Sequence, residues 1–86
     1  MEEKGGRNMK TVQISLNSID KVKSFVNDIT KFDAEFDLVS GRYVIDAKSI
    51  MGIFSLDISK PITLNIHTES DVTEILEALK PYIVEA

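Results

Sequence analysis

The residues of this chain best suited to chemistry lie in one short segment, residues 48–56. Ser49 is placed to begin a helix, where backbone N–H groups are free and the helix dipole is positive. A phosphate on its hydroxyl would therefore be stabilised electrostatically. Ile50, Met51 and Phe54 follow closely and would form an apolar surface beside it. The segment predicts a phosphorylation switch next to a docking surface, although a serine at this position also serves simply as a helix cap.

Composition limits the functions that this segment can serve. The chain has 86 residues, of which 43% are hydrophobic and 28% charged, as expected for one small globular domain. Its formal net charge is −4 and its basic residues are scattered, which argues against a nucleic-acid partner. We expect no membrane partner, because no apolar run has the length of a membrane span. The lack of cysteine excludes disulfides and thiolate metal sites and fits a reducing cytoplasm.

Alternating and helical periodicities follow one another along the chain and predict the order β-α-β-β-α-β-α. The predicted strands are Val12–Leu16, Ala34–Leu38, Tyr43–Asp46 and Pro61–His67, and the predicted helices are Ile19–Ile29, Ser49–Leu56 and Val72–Leu79. Because each strand has one apolar face, we predict a four-stranded antiparallel sheet with three helices on one face, an α+β fold.

Capping and turn residues mark the ends of these elements. Ser18 is predicted to cap the first helix and Ser70-Asp71 the last, and Ser40-Gly41 predicts the hairpin turn. The apolar residues of the first helix are expected to point inward: Ile19, Val22, Phe25, Val26 and Ile29. Residues 1–9 lack periodicity and are expected to form a flexible tail, and residues 10–86 to form the domain.

Two stretches flanking the predicted hairpin carry a family resemblance. Thr30-Lys31-Phe32-Asp33-Ala34 resembles Ser-Lys-Tyr-Asp-Ala, and Asp46–Gly52 resembles Asn-Ala-Lys-Ser-Ile-Met-Gly. Both motifs belong to HPr, the histidine-containing phosphocarrier of the bacterial sugar phosphotransferase system. The chain is similar to HPr from about Lys10 to Val84. The resemblance implies the HPr-like open-faced β-sandwich and a cytoplasmic protein.

The chain departs from HPr where phosphoryl transfer takes place. In that family Gly-Ile/Leu-His-Ala-Arg-Pro-Ala precedes the first helix; the histidine accepts phosphate from enzyme I and the arginine helps to hold it. Counting back from Thr30 places Ser18 at the histidine and Asp20 at the arginine. A serine lacks the imidazole nitrogen that forms a labile phosphoramidate, and an aspartate would repel the phosphate. The resemblance thus implies a divergent member without carrier function, in which Ser18 is a helix cap.

The position of Ser49 matches the regulatory serine of the family. Because the carrier histidine is also replaced in the catabolite-repression HPr, the chain is similar to that protein in this respect. The similarity implies that HPr kinase/phosphorylase modifies Ser49 and that a LacI-type catabolite regulator, or another protein, then binds. We expect Lys48, Ile50, Met51 and Phe54 to contact the partner. The catabolite-repression HPr keeps the arginine, whereas this chain has an aspartate there.

Two alternatives stay open. The chain could be a phosphate-independent interaction domain that uses Ile50, Met51 and Phe54, or it could accept phosphate from enzyme I at Ser18 or His67. We interpret His67, the one histidine, as a surface or hydrogen-bonding residue at a strand end, with no second histidine or cysteine to complete a metal set. With no nucleophile–base pair or phosphate-binding glycine loop, we expect no autonomous enzyme and no cofactor.

Within the short helix, the apolar residues are expected to divide between two environments. Ile53 and Leu56 are predicted to point inward, whereas Ile50, Met51 and Phe54 are predicted to be at least partly exposed. A flexible methionine beside an aromatic residue suits a surface that must fit more than one partner.

Overall fold

A computed structural model describes residues 8–69 and 72–84 of the chain. Their elements have the predicted order and class: β1 (Asn8–Ile14), α1 (Ile19–Thr30), β2 (Glu35–Ser40), β3 (Tyr43–Asp46), α2 (Ile50–Phe54), β4 (Ile62–Thr68) and α3 (Thr73–Leu79). The strands form one antiparallel sheet in the order β1-β4-β2-β3, so that β1 and β3 are its edges. No helix in the described part of the chain is long and apolar enough to cross a bilayer.

The two faces of the sheet differ as the alternation predicts. Along β4, Ile62, Leu64 and Ile66 are buried under the helices. The residues between them lie on the opposite, polar face, where three side-chain pairs link neighbouring strands: Gln13 with Thr63 at 2.7 Å, Thr11 with Asn65 at 2.8 Å, and Asp37 with His67 at 2.9 Å. These hydrogen bonds satisfy polar groups on the face that the helices leave open.

The helices contribute apolar side chains to one core, and the C-terminal segment closes it. The fully or nearly fully buried helical residues are Val22, Phe25, Ile29, Ile53, Ile75 and Leu79. The Tyr82 ring meets the Phe25 ring edge to face, with centroids 5.6 Å apart, and its hydroxyl donates to Asp28 Oδ2 at 2.9 Å. The Tyr82 carbonyl accepts a hydrogen bond from Ser15 N at 2.8 Å, which holds the segment after α3 next to the end of β1.

Two details differ from the predictions made from the sequence. β1 begins at Asn8, inside the expected tail, because Asn8 pairs with Thr68 and Met9 with His67. Residues 1–7 lie outside the described residues, so the flexible tail stays a prediction for them. The prediction that Ile19 points inward is wrong: this residue is 59% exposed in the first turn of α1. Periodicity gives the inward face of a helix but not where along its axis the core begins.

The start of the last helix and the turn of the hairpin can be compared with their predictions. The predicted cap Ser70-Asp71 lies outside the described residues. α3 is preceded by Val72, which makes no side-chain capping hydrogen bond. The hairpin turn is confirmed, and Gly41 has a φ of 60°, in the left-handed region that favours glycine.

Candidate functional site

Ser49 is held at the start of α2 by a tight turn that leaves β3. The Asp46 carbonyl accepts from Ser49 N, and Asp46 Oδ1 accepts from Lys48 N, both at 2.9 Å. Ser49 itself is extended, with φ −93° and ψ 97°, and its Oγ accepts from Gly52 N at 3.4 Å. The predicted N-cap is therefore confirmed. The side chain is exposed, and its capping bond is long, so the hydroxyl is weakly held and accessible.

Gly52 leaves room around that hydroxyl. A Cβ atom at position 52 would lie 3.3 Å from Ser49 Oγ and 3.3 Å from Ile45 Cδ1. Any other residue would therefore crowd Ser49 or push against the residue that α2 packs on. Gly52 was not predicted to be part of the site. Its position three residues after the capping Ser49 is the feature of the sequence that could have indicated it.

The apolar residues of α2 divide as predicted. Ile53 is fully buried, whereas Met51 is 76% exposed and Phe54 39% exposed. Ile50 is half-buried and packs against the core. We call the surface formed by Ile50, Met51 and Phe54 the α2 patch. A docking role for these three residues stays a prediction, but their exposure beside Ser49 is confirmed.

Lys48 has a structural partner within the chain. Its ammonium group donates to the Phe32 carbonyl at 3.2 Å and lies 5.6 Å from the centre of the Phe36 ring. These contacts tie the turn before α2 to the loop between α1 and β2. A partner would have to displace or share the ammonium group, so the predicted role of Lys48 in partner binding stays a prediction.

Ser18 has the same capping geometry on the neighbouring helix. It is extended, and its Oγ accepts from Lys21 N at 3.1 Å, which confirms the predicted cap. Asp20 lies in the first turn of α1, where its negative charge faces the positive end of the helix dipole. α1 packs against α2. The surroundings of Ser18 and Ser49 nevertheless differ, because α2 has no acidic residue in its first turn.

His67 lies away from both serines, on the polar face of the sheet. Its Nε2 is 2.9 Å from Asp37 Oδ2, which confirms its interpretation as a hydrogen-bonding residue. Within residues 8–69 and 72–84, no three or more histidine, cysteine, aspartate or glutamate side chains are grouped to hold a metal ion.

Comparison with known proteins decides the family. A family model described as "PTS HPr component phosphorylation site" matches residues 21–85. The chain belongs to the HPr family. HPr from Bacillus anthracis str. Ames is 34% identical over 91% of this chain and 98% of that chain, with a TM-score of 0.66. HPr-C-His from Thermoanaerobacter tengcongensis is 27% identical over 86% of this chain and 88% of that chain, with a TM-score of 0.63.

The family match covers some of the predicted site residues and not others. The match begins at residue 21, after both Ser18 and Asp20. It includes Ser49, Gly52 and the α2 patch. The chain is thus an HPr-like protein related to the phosphotransferase system, matched to its family from the first turn of α1 onward.

Proposed function

We propose that this HPr-family protein is a regulatory interaction domain, switched by phosphorylation of Ser49 in the cytoplasm of a bacterium. The observation that carries the proposal is the exposed, weakly hydrogen-bonded Ser49 hydroxyl next to the exposed Met51 and Phe54. HPr kinase/phosphorylase is the proposed modifying enzyme. It transfers the γ-phosphoryl group of ATP to Ser49 Oγ with Mg²⁺, and ADP and a proton are released.

Electrostatics supports a phosphate at this position. A phosphoserine carries a charge of about −1.5 to −2, and its oxygens are strong acceptors for the free N–H groups at a helix start. No acidic side chain lies in the first turn of α2, and the Asp46 carboxylate in the turn before it accepts a hydrogen bond from Lys48 N. A partner with an arginine beside an apolar pocket would bind the phosphate through the arginine and the α2 patch through the pocket. A LacI-type catabolite regulator is the proposed example.

A phosphate-independent interaction domain is the second candidate. It is favoured by the exposure of Met51, because a side chain that is 76% exposed without any phosphate already offers apolar contact. Phosphoryl transfer from enzyme I has no such support. Ser18 is engaged as a cap beside Asp20, and His67 is paired with Asp37 on the opposite face of the sheet.

The test is phosphorylation of the purified protein by an HPr kinase/phosphorylase with ATP and Mg²⁺, followed by intact mass. Ser18→Ala is the matched control, because it removes the other N-cap serine. We expect one phosphate on the wild type and on Ser18→Ala, and none on Ser49→Ala. No phosphate on the wild type, with ordinary HPr modified in the same tube, would refute the switch and favour the second candidate. Labelling by enzyme I and phosphoenolpyruvate would instead show carrier activity.

A further inference from the structure

The free edge of β3 is the least protected part of the sheet. The edge at β1 carries Lys10 and is joined near its end by a bridge between Ile14 and Ile83. β3 has no lysine or proline, and Tyr43 and Val44 are 70% and 64% exposed. Proteins usually blunt such an edge with charges, proline, a covering element or a very short strand, because its unpaired backbone groups pair readily with another strand. β3 is short and ends in the charged Asp46, so this edge supports only weak pairing.

The hairpin register fixes which backbone groups of β3 are free. Ser40 pairs with Tyr43 across the two-residue turn, and the Phe36 carbonyl accepts from Ala47 N at 2.9 Å. Hydrogen-bonded and non-hydrogen-bonded pairs alternate along an antiparallel ladder. The main chain of Tyr43 and Ile45 therefore bonds to β2, and the N–H and C=O of Val44 point outward. A strand approaching this edge would centre its hydrogen bonds on Val44.

The side chains along this edge are complementary to a second copy of themselves. Antiparallel pairing about a two-fold axis at Val44 places Val44 opposite Val44 of the other copy, so that the two residues exchange both backbone hydrogen bonds. Tyr43 then lies opposite Ile45, and Arg42, in the turn just before β3, is next to Asp46 of the other copy, once on each side of the axis. Opposite charges and aromatic–β-branched pairs at directly opposed positions stabilise a sheet. Arg42 and Asp46 are both exposed, and although Asp46 Oδ1 accepts from Lys48 N, its charge and its second oxygen can still face Arg42 of the other copy.

We propose that two copies of this protein join through their β3 edges in this register, forming one continuous eight-stranded sheet. The occupant is a second copy because the charges that flank Val44 are opposite, on Arg42 in the turn before β3 and on Asp46 at its end, as a self-complementary isologous interface requires. The inference does not depend on the proposed function, since no residue of α2 takes part.

The proposed dimer is weak because the strand is short. β3 has only four residues, so the interface falls below the standard size for stable complexes. We expect a dissociation constant on the order of 0.1–1 mM, in the range of small transient interfaces. Association is therefore expected to depend on protein concentration and on salt, because the two Arg42–Asp46 pairs are exposed.

The proposal can be tested by sedimentation equilibrium and by amide NMR chemical shifts. Both are measured up to about 2 mM protein, which is above the expected dissociation constant. We expect concentration-dependent shifts centred on Val44 and loss of association in Val44→Lys, which places two like charges on the axis. Met51→Lys is the matched control on the α2 patch and should associate as the wild type does. A wild type that stays monomeric, or association that Met51→Lys abolishes and Val44→Lys does not, would overturn the β3 interface.

A charge exchange tests the register itself. Arg42→Asp leaves two acidic residues on the edge and Asp46→Arg leaves two basic ones, so neither variant should associate with itself. Mixed together, they restore both opposite-charge pairs and should associate at least as well as the wild type. Circular dichroism of each variant confirms that it is folded. If both folded variants self-associate normally, or if the mixture stays monomeric, the proposed pairing of Arg42 with Asp46 is incorrect.

Discussion

Truncation of two apolar residues of α2, Ile53 and Met51, should change the stability of the protein by very different amounts. Ile53 is fully buried and Met51 is 76% exposed, although both lie on a helix of five residues. Truncating a buried isoleucine to alanine costs about 2–5 kcal/mol, because the lost contacts and the remaining cavity both destabilise the native state. Truncating an exposed side chain changes stability by about 0.5 kcal/mol or less. The two variants therefore separate a core residue from a residue proposed for docking within one helix.

The expected loss at Ile53 is large for a domain of this size. At 0.05–0.15 kcal/mol per residue, an 86-residue domain has an unfolding free energy of roughly 4–13 kcal/mol. Ile53→Ala should therefore lower Tm by at least about 8 °C, and Met51→Ala by no more than about 4 °C, at roughly 4–8 °C per kcal/mol. Ile53→Val, which costs about 0.5–1.5 kcal/mol, gives a folded intermediate case if the alanine variant is unfolded.

Far-UV circular dichroism during urea and thermal unfolding is the appropriate assay, because the chain has no tryptophan to report on unfolding. The same variants are then tested for binding to whichever partner the phosphorylated protein recognises. Met51→Ala should weaken binding while stability stays unchanged. Equal destabilisation by Ile53→Ala and Met51→Ala would show that Met51 belongs to the core, and the α2 patch would lose its central residue.

Three further predictions concern the parts of the fold that support the site. Ser18→Ala should lower the unfolding free energy by about 0.5–2 kcal/mol through loss of the α1 cap, measured by urea unfolding. Gly41→Val should cost about 1–2 kcal/mol, because its φ of 60° is unfavourable for a β-branched residue, and Gly41→Asn should cost less. Burial and the hydrogen bond to Asp28 raise the pKa of Tyr82 above 10.0, so the folded state holds that proton more tightly. The wild type should therefore lose stability as the pH rises above 10.0, and Tyr82→Phe should lose less over that range.

Local periodicity was sufficient to predict the element order and the division of the sheet into two faces. β3 was predicted to the residue, because the glycine turn and the alternation both limit it. β1 begins earlier than predicted, since its start depends on the pairing of Asn8 with Thr68 in β4, 60 residues away. Ile19 was assigned to the wrong environment for a related reason: its exposure depends on how far the core extends along α1, which the helix pattern does not encode.

The candidate site was predictable where it depends on neighbouring residues. The Ser49 cap and the exposure of Met51 follow from a few residues of α2. The hydrogen bond from Lys48 to the Phe32 carbonyl did not follow, because the two residues are 16 positions apart, at opposite ends of the β2–β3 hairpin. The lack of space for a side chain at position 52 could not be predicted either. It depends in part on the position of Ile45 in the folded sheet, which the local sequence does not give.

The two capping serines show why position alone does not make a switch. Ser18 and Ser49 each accept from a backbone N–H three residues ahead, at 3.1 Å and 3.4 Å respectively. A phosphate on Ser18 would lie in a helix turn that already carries the Asp20 carboxylate, so part of the favourable dipole interaction would be offset by repulsion. A phosphate on Ser49 meets no acidic residue in its helix turn, and exposed apolar side chains lie next to it. Asp20 thus disfavours a phosphate on Ser18, whereas the first turn of α2 adds no negative charge beside Ser49, and the Asp46 carboxylate in the turn before α2 is already hydrogen-bonded to Lys48 N.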